Sequence, residues 1–162
     1  MLQLHECIAA RMAIATTPPV NAYTTLWLLQ SQKSYVKFGV KACNDALLAL
    51  SAQMDSSIFT YEVVIGGYNN TQSDIRPGYS QTPPSISAST PGILSCNETR
   101  YFWVSYEGGL IEVGRGLELG QRRFLHWKYE NPHAVTAIGF SGWDVEDEWE
   151  FSHTEGTMMP HI

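Results

Sequence analysis

The sequence predicts an all-β fold, an antiparallel β-sandwich of jelly-roll-like type with an N-terminal arm, and three observations lead there. From Tyr23 onward, short runs rich in Val, Ile, Thr and aromatic residues recur along the chain. Clusters of Gly, Pro, Asn and Ser separate them, which is the punctuation of hairpins. No helical periodicity intervenes between the runs, so no crossover helices of an α/β fold are expected.

The candidate strands, in order, are residues 23–29, 35–42, 46–51, 59–66, 72–76, 85–88, 101–106, 110–114, 124–129, 135–141 and 148–151. Tyr61-Glu62-Val63-Val64-Ile65 is apolar enough for a central strand, whereas residues 35–40 alternate only loosely. Pro83, Pro84 and Pro91 make 81–91 a surface loop broken by a short edge strand. Ahead of the strands, residues 1–12 look weakly helical, and Thr16-Thr17-Pro18-Pro19 ends any helix. The expected organisation is an arm over 1–22 and one sandwich domain over 23–162.

A chain of 162 residues can bury roughly two thirds of its unfolded surface in one core, without help from a metal or disulfide. Hydrophobic content of 44% against 16% charged residues excludes a disordered chain, and a net charge of -6 argues against a nucleic-acid surface. No apolar run reaches the roughly 18 residues that a membrane span needs. The first residues lack a basic start, and His5, Glu6 and Arg11 interrupt any apolar core, so no cleaved signal peptide is expected there. Of the three cysteines, Cys43 and Cys96 could pair within the chain in an oxidising compartment, and Cys7 could pair with its copy in a second subunit. The alternative is three idle thiols.

Residues 139–151 hold the densest chemistry. Asp144, Glu146, Asp147 and Glu148 bring hard oxygen ligands close together, a composition suited to calcium. Trp143 beside them offers a flat apolar face on which a sugar ring can stack. The plain alternative is a solvated acidic loop with Trp149 in the core. A second polar loop, Gly66-Gly67-Tyr68-Asn69-Asn70-Thr71, carries Tyr68 as a further ring. Asn69, Asn70, Asp74 and Arg76 are candidates for hydrogen bonds to sugar hydroxyls, although the same loop also reads as an ordinary hairpin turn. Asn69-Asn70-Thr71 and Asn97-Glu98-Thr99 are glycosylation sequons. Trp27, Trp103, Trp127 and Trp149 fall within strand patterns and are expected in the core, leaving Trp143 to reach a ligand. The five histidines have no zinc spacing, and no Ser, His and Asp set suggests a triad, so no enzyme is expected.

Several stretches resemble the farnesoic acid O-methyltransferase domain of invertebrates. They include Phe38-Gly39-Val40-Lys41-Ala42-Cys43-Asn44-Asp45-Ala46, Tyr61-Glu62-Val63-Val64-Ile65-Gly66-Gly67, Ser73-Asp74-Ile75-Arg76 and Thr90-Pro91-Gly92-Ile93-Leu94-Ser95-Cys96. Phe102-Trp103-Val104-Ser105-Tyr106, Gly108-Gly109-Leu110-Ile111-Glu112-Val113-Gly114, Ile138-Gly139-Phe140-Ser141-Gly142-Trp143 and Glu148-Trp149-Glu150-Phe151 follow in the same order, so the resemblance covers about residues 35–151. It implies a secreted or cell-surface setting and favours the Cys43–Cys96 pairing. Its name implies methyl transfer, but the usual fold for that chemistry has a parallel sheet with alternating helices and a Gly-rich turn for the cofactor. Here Gly114, Gly116 and Gly120 lead into Gln121-Arg122-Arg123 with no helical pattern, and read as β-turn glycines. The acids between the Gly-Trp and Glu-Trp pairs depart from the family's small or neutral residues.

By type, the chain is similar to the galactose-binding lectins of marine invertebrates. The expected function is a secreted, non-enzymatic lectin for galactose-terminated glycans, calcium-dependent and multivalent as a homodimer linked through Cys7. An interaction module for protein or lipid ligands is the alternative, with a methyltransferase behind both. Binding to a glycan array with and without a chelator separates the first two, and cofactor binding by calorimetry tests the third.

Overall fold

Among the residues that the computed structural model describes, 12–17, 27–29, 33–52, 61–78, 83–129, 134–143, 146–152 and 157–159, thirteen strands build two antiparallel sheets. The first runs in the order β1 (Met12–Thr17), β12 (Asp147–Ser152), β3 (Tyr35–Lys41), β8 (Arg100–Ser105), β9 (Leu110–Arg115) and β10 (Arg123–Lys128). The second runs β13 (Thr157–Met159), β2 (Trp27–Leu29), β11 (Ala137–Ser141), β4 (Ala46–Ser51), β5 (Tyr61–Gly66), β6 (Gln72–Pro77) and β7 (Ile86–Ser89). The fold is the expected β-sandwich.

All eleven expected strands are present. β4 has the bounds read from the sequence, β5 is interior to its sheet, and β7 is the expected short edge strand. Expected positions 23–26, 59 and 60 lie outside the described residues. Two further strands appear at the chain ends. β1, from the segment read as an arm, pairs antiparallel with β12 from Met12↔Ser152 to Thr17↔Asp147. Its partner comes from the far end of the sequence, and Ala-Ile-Ala-Thr has little alternation to announce a strand.

Side-chain alternation sets the core. Val36, Phe38 and Val40 of β3, Phe102 and Val104 of β8 and Trp149 and Phe151 of β12 point inward from the first sheet. Leu48 and Leu50 of β4, Val63 and Ile65 of β5 and Ile138 and Phe140 of β11 meet them from the second. Phe140 joins the layers, with ring centroids 4.9 Å from Trp149 and 4.7 Å from Phe151. Tyr61 and Tyr129, 4.8 Å apart, make a further ring contact in the same core. Trp149 is buried in the core as expected and Trp127 packs half-buried against it, whereas Trp103 is buried on the other face of β8, away from Phe102 and Val104. Trp103 lies against its cross-strand partner Gly114, where a side chain would collide with the indole, and donates from Nε1 to Gln121 O at 2.9 Å.

A disulfide joins Cys43 and Cys96, with Cα atoms 4.3 Å apart. Beside it Ala42 N donates to Ser95 O at 3.1 Å, so the turn from β3 to β4 is fastened covalently and by hydrogen bonding. Cys7 lies outside the described residues. Among the described residues no helix is long and apolar enough to cross a membrane.

Candidate functional site

The outer face of the second sheet is built by the residues that alternate with the core. Register aligns Ser141, Leu47, Val64 and Asp74 in one row across β11, β4, β5 and β6. The next row holds Gly139, Ala49, Glu62 and Arg76. Both rows are largely buried, although they face away from the sandwich interior. An apolar floor with charged groups set into it is the usual composition of a small-ligand site.

A cleft of about 240 Å³ opens over this floor, with Leu47 and Val64 at its base and Asp45, Glu62 and Arg76 as its charged groups. Tyr68, on the turn between β5 and β6, and Trp143, just after β11, complete the lining. Tyr68 is 60% exposed and Trp143 45%, the two most exposed aromatic side chains among the described residues. Two rings held in solvent above a polar cleft leave apolar faces free for a ligand.

Local backbone explains how Tyr68 arrives there. Tyr68, Asn69 and Asn70 all adopt left-handed conformations, with φ of 51°, 58° and 61°. Asparagine tolerates this region better than most residues, and Gly66 (φ 67°) opens the turn. Asn70 secures it from beneath: Nδ2 donates to Leu94 O at 2.9 Å, and Oδ1 accepts from Leu94 N at 3.0 Å. Thr71 Oγ1 closes the turn by donating to Tyr68 O at 2.6 Å.

Arg76 is oriented by Asp74, its NH2 group lying 3.0 Å from Asp74 Oδ2, with Glu62 as its cross-strand neighbour. Gln72 Nε2 donates to the other Asp74 oxygen at 2.8 Å. Asp74 therefore serves as the support of Arg76, which in turn reaches the cleft. Of the six candidate sugar contacts, Tyr68, Arg76 and Trp143 line one cleft. Asp74 stands behind them, Asn70 is engaged with Leu94, and Asn69 is exposed outside the lining. Asp45 and Glu62 join the site without having been singled out from the sequence. Strand alternation was the available signal for Glu62, which shares its face with Arg76.

The acidic stretch divides. Glu146 is exposed, and Glu148 pairs with Lys41 at 3.3 Å. Asp144 lies outside the described residues. Asp147, the first residue of β12, is fully buried, and neither carboxylate oxygen has a hydrogen-bond partner. Burial, with the charge of nearby Asp45 as second cause, pushes its pKa up to about 8. Among the described residues no three His, Cys, Asp or Glu side chains gather around one point.

This architecture is a β-sandwich of the kind seen in galectins. Sheep galectin-11, in a complex with glycerol, matches with a TM-score of 0.52 at 8% identity, over 77% of this chain and 97% of its own. A tetrameric galectin from the ball sponge Cinachyrella matches with a TM-score of 0.51 at 10% identity, over 94% of this chain and all of its own (100%). A prokaryotic β-1,3-1,4-glucanase (lichenase) from a mouse hindgut metagenome gives 0.52 at 7% identity, over 87% of this chain and 77% of its own. At such identities the likeness speaks to the fold. The chain belongs to the family described as farnesoic acid O-methyl transferase, which matches residues 20–155. A protein of Haliotis asinina named Uncharacterized protein 5 is 31% identical over 125 residues, which span 75% of this chain and 71% of the relative.

Proposed function

We propose that this chain is a carbohydrate-binding protein, and that the cleft between Tyr68 and Trp143 is its sugar site. The observation that carries this reading is the convergence of two exposed rings with Arg76, Asp45 and Glu62 over an apolar floor. Sugars present both an apolar C–H face and a rim of hydroxyls, so they need a ring to stack on and charged groups to bond to. A volume of about 240 Å³ is smaller than the ~300–1,000 Å³ usual for drug-sized ligands and suits a single terminal sugar unit. The galectin-type sandwich, shared with proteins whose names denote lectins, supports the same reading.

We extend it in four respects. The preferred ligands are galactose-terminated glycans, whose axial hydroxyl leaves one C–H face clear for Trp143. Calcium strengthens binding, with Asp147 the acid of the 144–148 stretch whose buried oxygens are without partners. The protein acts outside the cell, in keeping with the Cys43–Cys96 disulfide. A homodimer linked through Cys7 supplies the second site that weak single-site binding requires for avidity. No catalytic step belongs to this function: β10 follows the glycines after β9, where the usual methyltransferase would place a helix over its cofactor.

The test is a glycan array probed with the intact protein in calcium buffer and again in chelator. Binding to galactose-terminated glycans is expected, weakened by chelator. No bound glycan in either buffer would overturn the reading. On non-reducing gels a doubled mass is expected, and Cys7→Ser abolishes it; a monomer in both lanes would remove the dimer.

A further inference from the structure

We propose that Asp45 and Asp147 hold a divalent cation of calcium type, with the Asn44 side-chain oxygen as a third ligand, next to the sugar cleft. This deepens the calcium dependence proposed above, and it gives the ion ligands from two separate parts of the chain.

The starting point is Asp147. It is 0% exposed, and both of its carboxylate oxygens lack hydrogen-bond partners. A buried carboxylate left in that state is expensive whether charged or protonated, because a carboxylic acid also needs an acceptor for its proton. The nearby charge on Asp45 adds repulsion. Asn44 Oδ1, one residue away on the same turn, is likewise buried without a partner. Three unpartnered oxygens, from Asn44 and Asp147, beside the Asp45 carboxylate have the chemistry of a hard-cation site.

The backbone brings these groups together. Glu148 of β12 is in register with Lys41 of β3, which places Asp147 alongside the turn that carries Asn44 and Asp45. That turn is held at one end by the Cys43–Cys96 disulfide and at the other by Asp45 N donating to Gly66 O at 2.9 Å. Asp45 itself is left-handed, with φ of 50°. Ligands fixed by a covalent link and a backbone hydrogen bond are preorganised for an ion.

The donor set selects the metal class. Zinc in structural sites takes four nitrogen or sulfur-rich ligands, and no cluster of three or more such side chains exists among the described residues. Calcium accepts two carboxylates, an amide oxygen, backbone carbonyls and water together. Because Asp45 also lines the cleft, an ion on it stands next to the sugar and fixes a wall of that site.

The experiment is calorimetric titration of calcium chloride into chelator-stripped full-length protein with no sugar present, paired with melting curves. Expected are one-site binding in the range of about 10⁻⁴–10⁻³ M, typical of extracellular modules, and a melting point raised by calcium more than by magnesium. Asp147→Asn and Asp45→Asn should each weaken binding at least tenfold, while Glu98→Gln on the exposed surface leaves it unchanged. Asparagine at position 45 retains tolerance of the left-handed backbone, so that variant still tests the site if the Asp147 variant does not fold. No calcium binding by the folded intact protein, or unchanged binding in a folded Asp147→Asn or Asp45→Asn variant, overturns the proposal. Glycan binding without any calcium binding would sink the ion alone, and calcium binding without glycan binding would support the ion while sinking the lectin.

Discussion

Tyr68, on the turn from β5 to β6, and Trp143, on the connection from β11 to β12, line the same cleft, and they are more exposed than any other aromatic side chain among the described residues. Neither ring is needed by the core, so their removal separates binding from stability. Trp143→Ala and Tyr68→Asn should each lower glycan affinity about three- to tenfold, in line with the 0.5–1.5 kcal/mol of an aromatic contact. Asparagine suits position 68 because the backbone there is left-handed. Unfolding free energies should stay within about 0.5 kcal/mol of the parent, checked by denaturation beside the binding isotherms.

The Asp74–Arg76 pair behaves differently. Asp74 is almost fully buried at 1% side-chain exposure, and its removal leaves a partly buried guanidinium without its 3.0 Å partner. Asp74→Ala should therefore cost roughly 3–5 kcal/mol of stability by urea denaturation. Arg76→Lys keeps the charge and loses the planar fork, so it should weaken glycan binding with a smaller change in stability.

The Cys43–Cys96 bond closes a loop with a sequence separation of 53. A loop of that length stabilises by about 4 kcal/mol through the entropy of the unfolded chain. Reduction, or the double change Cys43→Ser with Cys96→Ser, should lower the melting point accordingly, and it should loosen the turn that carries Asp45. Differential scanning calorimetry with and without reductant checks both.

Tyr129 gives the fold an alkaline limit. Burial is the main cause raising its phenol above the ordinary value of 10.0, with Tyr61 as the second. The folded protein thus keeps a proton that the unfolded chain releases near pH 10, and this stability is present in full below that point and lost as pH rises through the raised value. Tyr129→Phe should flatten the fall in melting point between about pH 9 and 11, where the two phenol states diverge.

Much of the sandwich was legible because local chemistry and tertiary structure agree. Ala46–Ser51 lies between a turn and a polar break, and Gly and Pro punctuate most of the other strands. β1 was not legible as a strand, since Met12–Thr17 acquires its identity from β12 across almost the whole chain. The site was readable in fragments. Trp143, Tyr68 and Arg76 carry chemistry that stands out along the sequence, but register is what sets Arg76 opposite Glu62. Asp147 looked like one acid of a loop, and only its pairing into β12 shows it buried and apart from Glu146 and Glu148. Asp45 was hidden in a motif whose visible feature was Cys43.

The most direct test is a two-dimensional NMR titration of the intact protein with a methyl β-galactoside. Expected are shifts concentrated on the Trp143 indole N–H, Tyr68 and the Arg76 guanidinium, saturating with a single affinity. Absence of any shift, or shifts gathered instead around Tyr35 and Trp103 on the opposite sheet, would contradict a sugar site between Tyr68 and Trp143.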